Sequence, residues 1–248
     1  MAKSKHYYIR KAHRYLGVIL GIQFLLWTAG GLYFSWSNID EIHGDFQKKK
    51  PPLLTADISL VSPGIVFNNI KKVHVFDSIL SFQLIDILGK PVYQVRFVTL
   101  NNVHEAKSMT CLINAETGEL RSNLTKDEAI AIAARHFNGI PELESVEYLT
   151  STNTHHEYRD QPLPAYAVTF KHTSNTTVYI SSELGTIQKF RNHKWRVFDF
   201  LWMLHTMDYK SRDNIGNILL KAFSILGFIT ILSGFVLFGA SYKPLKRN

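Results

Sequence analysis

The sequence predicts an α+β domain carried between two transmembrane α-helices. Three observations lead there: two long apolar runs without a charge, a strand-and-turn pattern that occurs twice, and a capped helix ahead of the second occurrence. The runs extend from Tyr15 to Ile39 and from Ala222 to Tyr242, and neither holds a Lys, Arg, Asp or Glu. A helix rises about 1.5 Å per residue, so about 20 apolar residues cross a hydrocarbon core of about 30 Å. Soluble helices of this length show a polar face, and these runs have none. The expected spans are residues 15–39 and 215–242.

The flanks orient the spans. Lys3, Lys5, Arg10, Lys11 and Arg14 precede the first, and Lys243, Lys246 and Arg247 follow the second, with no acid among them. The inner flanks mix signs: Asp40, Glu41 and Asp45 at one end, and Asp208, Lys210, Arg212 and Asp213 at the other. Lys48, Lys49 and Lys50 weaken the contrast but lie farther from the span. The positive-inside rule places the tails, 1–14 and 243–248, in the cytoplasm, and the intervening chain outside. The first run is longer than the apolar region of a signal peptide and ends in Leu-Tyr-Phe-Ser-Trp-Ser, which reads as an uncleaved anchor. Trp27, Trp36, Tyr33 and Tyr242 suit interfacial aromatic belts. A bacterial plasma (inner) membrane is the expected home.

Composition agrees. Mean hydropathy is −0.05, so a polar domain offsets the spans, and the two tails account for much of the net charge of +8. Topology thus explains the basic excess, and nucleic acid is not an expected partner. Cys111 is the only cysteine, which excludes an intrachain disulfide and a multi-cysteine metal site.

Between the spans the chain repeats itself. Pro91-Val-Tyr93-Gln-Val95-Arg-Phe97 corresponds to Pro164-Ala-Tyr166-Ala-Val168-Thr-Phe170, and Ile113-Asn-Ala-Glu116-Thr-Gly118 corresponds to Ile180-Ser-Ser-Glu183-Leu-Gly185. The offsets, 73 and 67, differ by a loop that is longer in the first copy, Asn101 to Ser108. Alternation in Val92 to Val98 and in Tyr166 to Phe170 has the period of half-buried strands. Gly118 and Gly185 supply turns. Thr125-Lys-Asp-Glu128 is a capping box opening a helix to Phe137, with Ala129, Ile130, Ala133 and Phe137 as its apolar stripe. Ser62-Pro63 starts a shorter helix to about Lys71. Each copy, 55–121 and 122–192, therefore reads as one helix followed by three or four antiparallel strands.

The helix-plus-strands unit ending in Ile113-Asn-Ala-Glu-Thr-Gly118-Glu-Leu resembles the PepSY domain. His13-Arg14-Tyr15-Leu16-Gly17 and Leu204-His205-Thr206 resemble PepSY-associated transmembrane helices. The likeness spans essentially the whole chain, with one departure: where the family often has His-Thr-Gly, this chain has Met207 after Thr206. The fold so implied is two PepSY-like helix-plus-antiparallel-sheet repeats between two transmembrane helices. Some members of the family with larger membrane parts are ferric-siderophore reductases or iron-regulated proteins that hold haem b between helices through histidines.

That implication turns attention to histidine. An electron-transfer haem takes two axial ligands, one on each ring face. His205 and His43 are the candidate axial ligands, since both lie near the outer ends of the spans. His13 is a weaker candidate: about 30 residues of helix separate it from His43, roughly 40 Å. The plainer readings are an anchoring residue for His13, a solvated loop for His43 and a single hydrogen bond for His205. His155-His156 with Glu157 and Asp160 falls in a polar loop, and no metal site is assigned. Residues 195–208 have helical spacing of Phe198, Leu201, Trp202 and His205 and read as an interfacial amphipathic segment. Gly17-Val-Ile-Leu-Gly21 matches the small-xxx-small pattern, which would join the two spans or make a homodimer. No nucleophile elbow, phosphate loop or zinc-protease helix is present, and no catalytic residue is assigned.

Two functions follow. The first is a membrane protein with an exterior binding or accessory module, whose partners are the bilayer and an exterior protein or ferric chelate. The alternative is a haem-dependent ferric-chelate reductase in iron uptake.

Overall fold

The computed structural model describes residues 5–51, 53–100 and 106–241. The basic cluster Lys243–Arg247, Lys3, Tyr242 and most of the expected loop after Leu100 lie outside them. The chain forms two units: Ile39–Trp195, and a helical unit of Met1–Asn38 with Arg196–Asn248.

The first unit begins with α2 (Ile39–His43), which follows α1 (Lys5–Trp36) of the helical unit, and a single 3-10 turn at Asp45–Gln47. Then come α3 (Pro63–Lys71) and the strands β1 (Ser78–Ile87), β2 (Lys90–Leu100), β3 (Ala106–Asn114) and β4 (Leu120–Arg121). After them stand α4 (Lys126–His136) and the strands β5 (Leu143–Leu149), β6 (Ala165–Phe170), β7 (Thr177–Ser181) and β8 (Ile187–Arg191). Each group of strands makes a four-stranded antiparallel meander in sequence order. The class is α+β, with two antiparallel sheets.

The two copies share a hydrogen-bond pattern. Gly118 N–H donates to Asn114 O at 2.8 Å, and Gly185 N–H to Ser181 O at 3.0 Å. Asn114 N–H then donates to Glu119 O, as Ser181 N–H does to Thr186 O. Ala115 N–H donates to Pro91 O and Ser182 N–H to Pro164 O, both at 3.0 Å. Both glycines take positive φ, +77° and +70°, a region that a Cβ disfavours. Cross-strand pairs match too: Tyr93 faces Ile113, and Tyr166 faces Ile180.

Three apolar clusters fill the unit. Val66 and Ile70 of α3 pack on Tyr93, Val95, Phe97 and Ile113, covering one face of the first sheet. Its other face contributes Ile87, Val92 and Leu112 to a cluster with Ile132, Ala133 and Phe137 of α4 and with Val168, Val178 and Ile180 of the second sheet. The far face of the second sheet carries Leu149, Ala165 and Tyr179 under Tyr158. Val92 to Val95 are thus buried on both faces rather than half-buried, because α3 covers one side and the second sheet with α4 the other. Gln94 meets that burial by donating to Leu184 O at 2.5 Å. The Thr125–Glu128 capping box forms as the sequence implies. The stripe of α4 includes Ile132, fully within the core, while Ile130 is only partly buried.

In the helical unit, α1 and α6 (Ile218–Ser241) supply two helices, Tyr7–Trp36 and Ile218–Gly239, long and apolar enough to cross a membrane. Helix α1 starts ten residues before the charge-free run, so Arg10, Lys11 and Arg14 lie on it. The pair is antiparallel: Gly227 meets Phe24, and Gly234 meets His13. A Cβ on Gly227 would stand 2.9 Å from Phe24 Cζ, so a larger residue there requires that ring to shift. Gly17 and Gly21 have no atom within 4 Å of a Cβ, so their face is not the one that packs on α6.

Helix α5 (His193–Thr206) enters this unit from Arg196 onward. A helix ends with unpaired carbonyls, and here side chains from elsewhere in the unit take them. Gln23 Nε2 donates to Leu204 O, Trp27 Nε1 to His205 O and Asn217 Nδ2 to Thr206 O, all at 2.9 Å. Trp27 is therefore engaged with α5, whereas Trp36 is 84 % exposed. Phe198, Trp202 and His205 of α5 face Phe34 of α1, so protein covers the face that the sequence assigns to the bilayer interface. Arg212 pairs with the buried Asp199. Asp208 accepts from Ser211 Oγ at 2.5 Å and from the N–H groups of Asn214, Ser211 and Lys210, which hold its pKa down to about 2.

Candidate functional site

The histidines come first. The ring of His205 lies among three aromatic rings, with centroids 6.0 Å from Trp27, 6.0 Å from Phe34 and 6.2 Å from Trp202, the last stacked. Its Nδ1 is buried and has no hydrogen-bond partner among the described residues. Leaving such an atom unpaired is unfavourable, and native structures seldom do so without a reason. Met207, at the position where PepSY-associated helices often have Gly, adopts φ +54° just past the end of α5. A left-handed residue commonly ends a helix there, and glycine takes that conformation without strain.

His13 sits elsewhere. Its Nδ1 is bonded to Ser233 Oγ at 2.7 Å. Along α1 it is fourteen residues from Trp27, the residue that packs on His205, which is about 21 Å of helix. His13 and His205 therefore stand at different levels of the helical unit and cannot share one iron within a copy. Of the two, His205 is the one whose buried ring nitrogen is unsatisfied. His43 belongs to the other unit, where it ends α2 and is exposed.

The second feature is a groove in that other unit, of about 880 Å³. Lys48, Lys49 and Lys50 line it from one segment and β8 from another, with Lys189 and Arg191 among the lining residues. His43, His136 and Trp195 complete the rim. Five cations face a single carboxylate, Asp45, which pairs with Lys48.

Local structure explains the convergence. Gly44 takes φ +73° and turns the chain where a Cβ would stand 3.3 Å from Phe190 Cβ. Asn192 Nδ2 donates to Glu41 O at 2.7 Å, and Lys194 pairs with Glu41, fastening α2 beside the end of β8. The lysine run then bridges to the end of α4: Lys48 pairs with Phe137, Lys49 N–H donates to His136 O at 2.7 Å, and Asn138 N–H donates to Gln47 O at 2.9 Å. Opposite, the Arg191 guanidinium lies 3.9 Å over the Trp195 ring, and its Nε donates to Glu157 O at 3.0 Å. Burial pushes the Lys189 pKa below the usual lysine value, and the charges of Arg191 and Lys48 add to this. Lys49, Lys50 and Lys189 have no carboxylate partner among the described residues.

Sequence reasoning passed over this groove. The triple lysine was visible only as a blemish in the charge asymmetry, and Lys189 with Arg191 as polar positions of a strand. The one available signal was a run of three lysines together with a later strand bearing two further cations.

Other candidates are quiet. His156 Nδ1 accepts from Tyr158 N–H at 3.0 Å, and Glu157 accepts from Tyr179 Oη at 2.6 Å. Among the described residues no three His, Cys, Asp or Glu side chains are grouped to hold a metal ion. Burial pushes the Cys111 thiol up, away from the reactive thiolate.

No family model matches the chain, and neither a curated protein nor a solved structure is similar to it.

Proposed function

We propose that this chain is a two-pass bacterial plasma-membrane protein of the PepSY type, with both termini in the cytoplasm and a non-catalytic exterior module that binds a partner. The observation that carries the reading is the paired hydrogen-bond pattern of the two sheets, repeated at the offsets of the sequence repeat, in a chain that also holds two apolar helices of spanning length. A duplicated helix-plus-meander unit is what the PepSY resemblance implies. Basic residues without acids beside the terminal ends of the helices support the orientation. Alkaline phosphatase fused after Asn123 is expected to be active, and fused after Asn248 inactive. The opposite pattern overturns the topology.

The rival is a haem protein passing electrons to an exterior ferric chelate, and the unsatisfied Nδ1 of His205 in its aromatic box favours it. When bound, haem supplies one-electron chemistry, and the part of His205 would be to hold the iron. Protein purified from haem-replete cells decides between the readings. A Soret band that His205→Ala removes and His13→Ala leaves in place supports haem. Its absence in the wild type leaves the binding module alone.

A further inference from the structure

The groove between Lys48–Lys50 and β8 has the chemistry of an anion site. Its positive charge is concentrated: five cationic side chains border about 880 Å³, and Asp45 is the one carboxylate among the residues that line it. Like charges brought together raise the free energy of the unit by repulsion, and the charges of Arg191 and Lys48 add to the burial that lowers the Lys189 pKa. The walls are nonetheless built, not frayed. The left-handed Gly44 presses the turn on Phe190, the Asn192 side chain clamps α2, and the lysine run is bridged to the end of α4. A fold that pins cations together around a cavity gains from an anion there.

Size and charge type narrow the ligand. A volume of this order has room for more than a single-phosphate ion. Four of the cations are lysines, whose ammonium groups act as mobile point charges suited to phosphate, and the fifth, Arg191, is held flat on Trp195. We propose that this groove binds an anion bearing two or more phosphate groups. One source is close at hand. Lys48 to Lys50 follow Trp36, the end of α1, by only twelve to fourteen positions in the chain. Lysines that reach a membrane surface draw its acidic phospholipid headgroups, at about 1 kcal/mol each. Cardiolipin, with two phosphodiesters on one headgroup, fits that source, and a soluble polyphosphorylated molecule is the other. The phosphate assignment rests on the groove alone, while the lipid source also rests on the proposed membrane topology.

The test uses the full chain purified in a zwitterionic detergent. In one arm, cardiolipin or phosphatidylcholine is added and retained lipid is counted by native mass spectrometry. In the other arm, pyrophosphate is titrated and binding is followed by calorimetry. Each is repeated with the triple variant Lys49→Gln, Lys50→Gln, Lys189→Gln, and with Lys126→Gln, which lies outside the groove. Cardiolipin retained by the wild type and by Lys126→Gln, but bound about a hundredfold more weakly by the triple variant, identifies a lipid site. Pyrophosphate binding with the same dependence, and no cardiolipin preference, identifies a soluble ligand. Binding that weakens with added salt accords with either. Equal binding by wild type and triple variant in both arms, with the variant folded by circular dichroism, overturns the proposal. So does cardiolipin retention no greater than that of phosphatidylcholine together with no pyrophosphate binding. The phosphatase fusions report on topology separately, so a failed groove and a failed membrane reading give different results.

Discussion

Gly185 is the position where the repeat and the packing of the two sheets meet. It takes φ +70°, and a Cβ there would stand 2.8 Å from Ile87 Cδ1 and 3.2 Å from Leu112 Cδ1, both on the first sheet. Gly118, its counterpart, takes φ +77°, but a Cβ there meets only Ile65 Cγ2 at 3.2 Å as its nearest neighbour, on α3. A left-handed L-residue costs about 1–2 kcal/mol, and this applies to both. Forcing extra volume into a packed core adds about 1–3 kcal/mol, which applies chiefly to Gly185. Gly185→Ala is therefore expected to destabilise by about 2–5 kcal/mol and Gly118→Ala by about 1–2 kcal/mol. For a urea slope near 2 kcal/mol/M, the first corresponds to a midpoint lowered by about 1–2.5 M. Pulse proteolysis of the full chain in detergent across a urea series reads these midpoints. A double-mutant cycle then isolates the clash. Ile87→Val alone costs about 0.5–1.5 kcal/mol, but it deletes the methyl that the new Cβ would strike. In the Gly185→Ala background its cost should vanish or turn into a gain, a coupling of about 1–2 kcal/mol. Gly185→Ala no worse than Gly118→Ala, together with additive behaviour of Ile87→Val, would refute the reasoning.

Three further outcomes follow from the structure. Asp199→Ala strips the partner from Arg212 in the helical unit and is expected to destabilise that unit by about 3–5 kcal/mol, whereas Asp199→Leu with Arg212→Met recovers much of the loss, as thermal melts in detergent would show. Thr125→Ala removes the side-chain cap of α4, at about 1 kcal/mol. Burial raises the Glu128 pKa, but the Thr125 N–H and the Arg121 guanidinium outweigh it and hold the pKa below the usual carboxylate range. Its contribution is thus complete above the unfolded value near 4.3 and is lost as pH falls through the lower folded value. Glu128→Gln should flatten the acid limb of stability in that window, and an unchanged limb would show that the carboxylate is not held.

The sequence by itself determined the elements whose cause is local. Charge-free runs of more than 20 residues specify apolar helices, because no neighbour is needed to make them so. Thr125-Lys-Asp-Glu128 specifies a helix start, because its two hydrogen bonds close within four residues. Gly118 and Gly185 mark turns, because a left-handed backbone position selects glycine wherever it occurs. Only the tertiary structure decided what depends on residues far apart in the chain. Alternation in β2 could not reveal that both its faces are covered, since α3 and the second sheet lie outside the strand. The apolar face of α5 has the same pattern whether it meets lipid or Phe34 of α1. His205 carries no local mark of its unpaired nitrogen, which results from three aromatic rings closing around it. The cationic groove is the clearest case. Lys48–Lys50 and Lys189 are about 140 residues apart in sequence. Charge repulsion would separate them in a free chain, and only the packing of α2 and its following turn against β8 and α4 holds them together.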